Sequence, residues 1–402
     1  MVTTQTGIEK ILDKVQTNQE RLVRGLNKLS VRPYFQSIPL DSRGSILIGP
    51  RGTGKTTFLL NQCKDNHKAL YISLDSVYLQ NISLYDLVEM AYHQGVREFY
   101  LDEVHFLMNW SLSVKSIYDS FPNAKIILSD SSSLALRLGV ADLSRRFPKN
   151  QMKLLSFREF IFLKTQQSLP TFNPIEQYTK NQKIQLSPEL DEWLDKNNIS
   201  KMFTEYLSEG MRPFFLEGRY KDRILNVIEK TIYYDVPYFI PSIQQNHLNS
   251  LKSILDYLAN SAIPTINIQN ICTQWEMGKE KVYELLEVLQ QTGVIQIIYN
   301  TKTPKGNSKG DKIFFQDCSF YAALGGNLGS MREAYFCNAL QSAGCNVITS
   351  KNEEEYDFLV DSIRFEIGGK SKTAKKSDVV VKDYLDGVYK KEWPLWIFGF
   401  MW

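Results

Sequence analysis

The sequence has few cysteines and no long apolar run, and each shortage excludes a class of protein. Only five of the 402 residues are cysteines, and they are scattered without any Cys-x-x-Cys pair. This argues against a disulfide framework or a zinc site and favours a reducing compartment. No apolar run approaches the ~18 residues that span a membrane, and no secretory leader is evident. We therefore predict a cytoplasmic protein with no membrane partner.

The sequence also lacks an excess of charge of either sign. It has 47 basic and 44 acidic side chains, for a net charge of +3. The hydrophobic content of 43% and the charged content of 23% are ordinary for a globular protein. Nucleic-acid binding therefore has to be argued from local patches. The length predicts two to four domains.

A glycine-rich segment is the strongest functional signal in the chain. Residues 49–56 fit the P-loop pattern G-x-x-x-x-G-K-[ST], between the apolar run 45–48 and a helix-like segment. In such a loop the backbone N–H groups and the helix N-terminus hold phosphates. The lysine reaches the β- and γ-phosphates of ATP, and the following hydroxyl binds Mg²⁺. The predicted nucleotide-binding residues are Gly49, Pro50, Arg51, Gly52, Thr53, Gly54, Lys55, Thr56 and Thr57.

Two adjacent acids form the second motif. Asp102 and Glu103 end the apolar strand-like run 98–101, as in a Walker B motif. We predict that Asp102 holds Mg²⁺ together with Thr56. Glu103 is predicted to polarise the attacking water as a general base. His105 follows this motif and is interpreted as a packed or hydrogen-bonded residue.

The pattern of apolar residues predicts an α/β fold for the first part of the chain. Strands are predicted at 45–48, 69–74, 98–101 and 125–128, with helical stretches between them, as in a parallel sheet with crossover helices. A helix is predicted over 7–29. The polar, proline-bearing stretch 165–195 is predicted to be a long loop or an insertion. The closing apolar segment, 394–402, is predicted to be a final strand.

Helices and a hairpin follow further along the chain. Helical segments and two strand-like runs between 248 and 318 predict a winged helix. Its hairpin lysines are suited to phosphate contacts, but its predicted recognition helix, which begins near residue 279, also carries carboxylates that would repel DNA. A structural or protein-binding winged helix is therefore an equal alternative to a DNA reader. The hairpin lysines are Lys302, Lys305, Lys309 and Lys312.

Several motifs together resemble one family. They are the P-loop, the Leu-Asp-Glu-Val-His box at 101–105, Leu-Ser-Phe-Arg-Glu-Phe at 155–160, and two C-terminal motifs at 365–370 and 394–400. The chain resembles prokaryotic AAA-type ATPases that carry a winged helix and a restriction-nuclease-like C-terminal domain. This resemblance implies ATP and Mg²⁺ as cofactors and assembly into rings or smaller oligomers.

The resemblance also implies further catalytic positions. Ser129 or Ser131, at the end of the strand after the Walker B motif, takes the place of a polar sensor residue that orients the water. The family usually has glycine at the position of Asp130. Arg145 and Arg146 occupy the place of an arginine finger, and a solvated basic helix end is the alternative for this pair.

A nuclease-like site is the most open part of the resemblance. Glu333, Asp357 and Glu366 match carboxylates that hold a metal ion. The lysine expected two residues after Glu366 is replaced by Gly368, and Lys370 lies two residues later. The alternatives are a nuclease and a retained fold used for DNA or protein contact or for stability.

The sequence therefore predicts four domains. They are an AAA-type ATPase domain (1–160), a helical region (161–245), a winged helix (246–322) and an α/β nuclease-like domain (323–402). Three functions compete: an ATP-driven switch that is DNA-associated, an ATP-gated nuclease of a defence or mobile-element system, and a signalling scaffold with little turnover. Glu103 favours ATP hydrolysis over the scaffold.

Overall fold

The computed structural model describes residues 5–26, 30–79, 82–131, 143, 145–261, 268–274, 277–300, 311–350 and 354–402. The chain forms two compact units that meet in sequence between Lys153 and Leu154. This division lies shortly before the predicted domain limit at residue 160. The finer limits predicted within the second unit stay predictions. In the part of the chain that the structure describes, no helix is long and apolar enough to cross a membrane.

Five parallel strands form the sheet of the N-terminal unit, in the order β2-β3-β4-β1-β5. The parallel α/β sheet predicted from the sequence is therefore confirmed. The strands are β1 (Gly44–Ile48), β2 (Ala69–Ser73), β3 (Glu98–Asp102), β4 (Lys125–Asp130) and β5 (Lys149–Gln151).

Helices cover both faces of this sheet. Ile46 and Leu128 belong to a core with apolar residues of α1, α3 and α4. Leu47 and Ile127, one position away on the same strands, belong to a core with residues of α2. This alternation follows from the two-residue period of a strand, and it leaves the carboxyl ends of the strands free to carry the site. The helices are α1 (Gln5–Leu26), α2 (Lys55–Cys63), α3 (Leu84–His93) and α4 (Trp110–Ser120).

The C-terminal unit begins with helices, and the loop predicted over 165–195 was wrong. Two helices lie within that stretch, and each has proline at its first position after a capping side chain, Asn173 or Ser187. Proline at this position costs no hydrogen bond, because the first helical N–H groups have no partner within the helix. These helices are α5 (Phe157–Thr165), α6 (Pro174–Asn181), α7 (Pro188–Lys196), α8 (Ile199–Glu209), α9 (Tyr220–Lys230) and α10 (Val236–Phe239), with a π-helical turn at Thr231–Asp235.

Three helices and an antiparallel hairpin follow, at the positions predicted from the sequence. The hairpin pairs Ile295 with Phe315 and Ile298 with Lys312, and its tip, 301–310, lies outside the described residues. The element order is that of a winged helix, and this identity stays a proposal. The elements are α11 (Gln245–Asn260), α12 (Ile268–Gln274), α13 (Lys279–Gln291), β6 (Ile295–Ile298) and β7 (Lys312–Phe315).

A mixed sheet of order β12-β11-β10-β9-β8 ends the chain. The strand predicted over 394–402 was wrong: Leu395–Phe400 is a buried 3₁₀ helix. It packs tightly, since a Cβ on Gly399 would lie 2.4 Å from the Cβ of Phe157. The elements are α14 (Ser319–Leu324), α15 (Leu328–Ser342), β8 (Val347–Thr349), β9 (Phe358–Val360), β10 (Ile363–Gly368), β11 (Val379–Lys382) and β12 (Glu392–Pro394).

Candidate functional site

The loop between β1 and α2 depends on three glycines. Gly52 and Gly54 have φ angles of +75° and +99°, where glycine has no steric penalty. A Cβ on Gly49 would lie 2.2 Å from the carbonyl oxygen of Met152, so a larger residue does not fit without movement of the backbone. The predicted P-loop thus has the tight backbone that a phosphate cradle requires.

Lys55, the first residue of α2, folds back over this loop. Its Nζ donates hydrogen bonds to the carbonyl oxygens of Gly49 (2.8 Å) and Pro50 (3.1 Å). Burial lowers the pKa of this ammonium group, while the nearby carboxylates of Glu103 and Asp102 oppose that shift. A phosphate oxygen would be a stronger partner than these neutral carbonyl oxygens, because charge-assisted hydrogen bonds are the stronger ones.

Three hydroxyl groups surround the carboxylate of Asp102 at the end of β3. The hydroxyls of Thr56 and Tyr71 each donate to Oδ2 at 2.7 Å, and Ser129 donates to Oδ1. Thr56 and Asp102, predicted to hold Mg²⁺, therefore meet although they are 46 residues apart in sequence. Their oxygen atoms are of the kind that Mg²⁺ prefers, so the donor set fits the ion.

Glu103 follows in a left-handed conformation, with φ at +51°, which is uncommon for a residue other than glycine. Its carboxylate lies 3.9 Å from Nη1 of Arg51 and 3.5 Å from Nδ1 of His105. Burial raises the pKa of Glu103, and the cations Lys55 and Arg51 oppose that shift. A more basic carboxylate accepts a proton more readily near neutral pH, which fits the predicted role.

His105 connects this carboxylate to a second one. Its Nδ1 lies 3.1 Å from Oδ2 of Asp130, which ends β4 and is fully buried. The interpretation of His105 as a hydrogen-bonded residue is confirmed, but it also contacts Glu103. Sequence reasoning missed this contact, because the turn after β3 and the end of β4 meet only in the folded sheet.

Of the predicted sensor and finger residues, Ser129 lies beside the Walker B acids, whereas Arg145 and Arg146 have no described contact with them. Ser129 lies between Asp102 and the backbone of Glu103, whose N–H donates to its Oγ at 3.4 Å. Arg146 forms an ion pair with Asp119 on α4, with Nε 3.3 Å from Oδ1, whereas Arg145 is exposed. The finger assignment stays a prediction for both arginines.

Arg32 supports the P-loop, although no motif points to it. Its Nη1 donates to the carbonyl oxygens of Thr53 (2.6 Å) and Lys153 (3.1 Å), and its side chain is buried. The hydroxyl of Thr53 in turn donates to the carbonyl oxygen of Pro50 at 2.8 Å. A buried arginine that precedes the P-loop in sequence thus holds the loop in place. The sequence signal near Arg32 is limited to Pro33, which favours a turn at that point.

Comparison with known proteins agrees with this geometry. The family model described as "AAA domain" matches residues 41–161. The N-terminal unit carries an AAA-type P-loop domain. One matching solved structure is AMPPCP-bound DnaA from Aquifex aeolicus, at 15% identity over 69% of this chain and 88% of that chain. The TM-score of this match is 0.26. No curated protein matches the chain.

A second group of acids lies in the C-terminal unit. Asp357 and Glu366, two of the predicted metal ligands, are buried. The backbone N–H of Ile367 donates to Oδ2 of Asp357 at 2.7 Å. Nζ of Lys372 lies 2.7 Å from Oε1 of Glu366 and 3.4 Å from Oδ2 of Asp357. The two acids therefore meet at one ammonium group.

The third predicted ligand has a different partner. Glu333, on α15, lies 2.9 Å from Nζ of Lys312 on β7. Burial raises the pKa of Glu333, and Lys312 opposes that shift. Lys312 is one of the four hairpin lysines suited by sequence to phosphate contacts, but its side chain on β7 is buried, which does not favour that role for this residue. The other three hairpin lysines lie outside the described residues.

Proposed function

We propose that the AAA-type domain binds Mg-ATP and hydrolyses it, and that this turnover acts as a conformational switch. The observation that carries the proposal is the 2.7 Å contact between Thr56 Oγ1 and Asp102 Oδ2. It joins the two predicted motifs at the carboxyl edge of the sheet, with Glu103 in the adjacent position. Phosphate cradle, cation ligands and general base are thus contributed by neighbouring segments.

The chemistry follows from these positions. The backbone N–H groups of 51–54 and the Lys55 ammonium bind the phosphates, and Thr56 and Asp102 would hold Mg²⁺. When bound, the ion would neutralise the negative charge that develops on the phosphoryl oxygens. Glu103 accepts a proton from water while the water oxygen attacks the γ-phosphorus. The bond from this phosphorus to the β–γ bridging oxygen breaks, and ADP and phosphate leave.

The change Glu103→Gln tests this assignment. We expect phosphate release to fall about 10²- to 10⁴-fold, because the amide cannot act as a base. Binding of a fluorescent ATP analogue should persist, since Glu103 has no part in holding the phosphates. Glu98→Gln, at the opposite end of β3, is the control and should keep wild-type turnover. Equal turnover in Glu103→Gln and the control would refute hydrolysis by this mechanism, whereas negligible turnover in the unaltered chain would favour the scaffold.

The change His105→Ala tests whether His105 positions the general base Glu103. We expect His105→Ala to lower kcat by up to about 100-fold, because small misplacements of a catalytic group have large effects. The KM for ATP should stay unchanged, since His105 contacts Glu103 and Asp130 rather than the P-loop. Steady-state phosphate release measures both values, and His93→Ala, exposed on α3, is the control. A rise in KM at constant kcat would contradict a positioning role.

The partners of the protein and its location in the cell are also proposals. The exposed face of α13 carries Glu280, Glu284 and Glu287, which would repel a DNA backbone. Any DNA contact through the winged helix would therefore depend on the lysines of the hairpin tip. We keep homo-oligomerisation, with Arg145 or Arg146 acting between copies, and a cytoplasmic location as proposals.

A further inference from the structure

Glu103, His105 and Asp130 form a compact group of metal-ligand side chains around the predicted general base. One ligand atom from each lies within 4.8 Å of the other two. Asp130 is fully buried, and His105 is 4% exposed. Zinc is bound by imidazole nitrogen and carboxylate oxygen, and sites with three protein ligands keep a fourth position for water. The group therefore has the composition of an open zinc site.

The backbone around β3 and β4 brings these three residues together. Glu103 has a left-handed conformation, and the turn that follows it, Val104–Phe106, is a 3₁₀ helix. This tight turn returns the side chain of His105 toward the carboxylate two residues before it. The parallel register of β3 and β4, continued past the last paired residues, places Asp130 opposite Glu103. The position of each ligand is thus fixed by the fold.

The ligand atoms have the spacing that a zinc ion requires. Nδ1 of His105 lies 3.1 Å from Oδ2 of Asp130 and 3.5 Å from Oε2 of Glu103. A tetrahedral ion with bonds of about 2.0–2.1 Å separates neighbouring ligand atoms by about 3.3 Å. The two measured distances lie on either side of this value. Small side-chain movements would therefore admit the ion, with water as its fourth ligand.

The two oxygens of Glu103 face different groups. Oε1 lies 3.9 Å from Nη1 of Arg51, on the P-loop. Oε2 faces His105 and is buried, and among the described residues it accepts no hydrogen bond. A buried oxygen without a hydrogen bond is destabilising, and coordination to a cation would remove that penalty. The oxygen that lacks a hydrogen bond is thus the one beside the imidazole.

The nitrogen ligand distinguishes this group from the predicted Mg²⁺ site. Mg²⁺ prefers oxygen ligands in near-octahedral geometry, and Thr56 and Asp102 would supply oxygen atoms only. Imidazole nitrogen favours Zn²⁺ and the other later first-row ions. The same domain therefore offers Mg²⁺ an all-oxygen pair and offers Zn²⁺ a nitrogen-containing group.

We propose that Glu103, His105 and Asp130 form an inhibitory zinc site, whose effect on turnover rests on the proposed ATPase function. Zn²⁺ bound at Oε2 lowers the basicity of the Glu103 carboxylate, which then no longer accepts a proton from water. None of the three ligands belongs to the P-loop, so ATP binds as before. Zn²⁺ therefore lowers kcat and leaves the KM for ATP unchanged.

Metal binding is measured on the full chain in excess Mg²⁺ without nucleotide, by calorimetry with Zn²⁺ and by visible absorption with Co²⁺. His105→Gln and Asp130→Asn keep the size of the side chain. Each should weaken Zn²⁺ binding about 10- to 100-fold or more, since even residues that only orient metal ligands contribute that much. His67→Ala and His93→Ala, both exposed, are the controls and should bind Zn²⁺ as the unaltered chain does.

Phosphate release from Mg-ATP measures the effect on turnover. We expect saturating Zn²⁺ to lower kcat about 100-fold or more, as for loss of a general base, and a zinc-selective chelator should restore it. Asp130→Asn should need at least about tenfold more Zn²⁺ for the same fractional inhibition, because it lacks one ligand. His93→Ala should be inhibited as the unaltered chain is.

Three results would overturn the proposal. They are equal Zn²⁺ affinity in the unaltered chain and both ligand variants, loss of binding in His67→Ala or His93→Ala instead, and inhibition that raises the KM for ATP. A chain without ATP turnover would contradict the proposed function, and the binding measurement would still decide whether the zinc site exists. The thermal midpoint of each metal-free variant separates loss of a ligand from loss of the fold.

Discussion

Lys55→Met is expected to remove most of the nucleotide affinity of the AAA-type domain while leaving its stability without nucleotide almost unchanged. Hydrogen bonds to charged groups contribute about 1.5–3 kcal/mol, so the Kd for ATP should rise about 10- to 100-fold. With ATP at about 100 times the wild-type Kd, ligand binding stabilises the fold by about 2.7 kcal/mol. A 100-fold weaker Kd would reduce this to about 0.4 kcal/mol.

The small effect expected without nucleotide follows from the surroundings of Lys55. Burial is the main influence on its pKa and lowers it, so the folded state disfavours the charge. A lysine with a lowered pKa destabilises the fold below that pKa, and this cost disappears only at higher pH. Methionine keeps the aliphatic stem and removes the buried charge. Two hydrogen bonds to backbone carbonyls are lost, which offsets the gain to within about 1 kcal/mol.

Thermal denaturation with and without ATP measures both effects in one series. Lys64→Met, at the exposed end of α2, is the control and should keep the full stabilisation by ATP. Retention of that stabilisation in Lys55→Met would show that the ammonium group does not bind the nucleotide. A large loss of stability without nucleotide would show instead that Lys55 holds the loop together.

The residues of the site that belong to continuous sequence motifs were predicted. The residues that join the site through contacts with distant parts of the chain were not. The P-loop and the acids after β3 are continuous motifs in which spacing fixes geometry. Arg32 and His105 act through contacts with residues 21 and 25 positions away, and no periodicity in the sequence reports such pairs. The same holds for Lys372, whose ion pairs with Asp357 and Glu366 depend on the path of the connection after β10.

The missed helices in the C-terminal unit have a different cause. The prolines and the polar composition of 165–195 predict a loop, yet Pro174 and Pro188 each begin a helix. The capping residues Asn173 and Ser187 were visible in the sequence. Proline directly after a capping residue indicates a helix start rather than a helix break. The sequence therefore contained the signal for both helices.

The largest effect on stability is expected from a buried ion pair that no motif indicates. Arg212 and Asp317 are 1% and 0% exposed, with Nε 2.6 Å from Oδ2. The other oxygen of Asp317 accepts hydrogen bonds from the backbone and hydroxyl of Ser319. In Arg212→Met, Asp317 would keep these bonds but lose its counter-charge. Removal of one partner of a buried pair costs about 3–5 kcal/mol.

The double variant separates the contribution of the ion pair to the free energy of unfolding from the cost of leaving one charge buried without a partner. Arg212→Met/Asp317→Asn leaves no buried charge, and the asparagine oxygen still accepts from Ser319. We expect it to be more stable than either single variant, with a strongly non-additive free energy of unfolding. Urea unfolding followed by tryptophan fluorescence reports mainly on this unit, because only Trp110 of the six tryptophans precedes residue 154. Additive losses would mean that Arg212 and Asp317 act independently, and that packing of Arg212 on Phe320 accounts for its contribution.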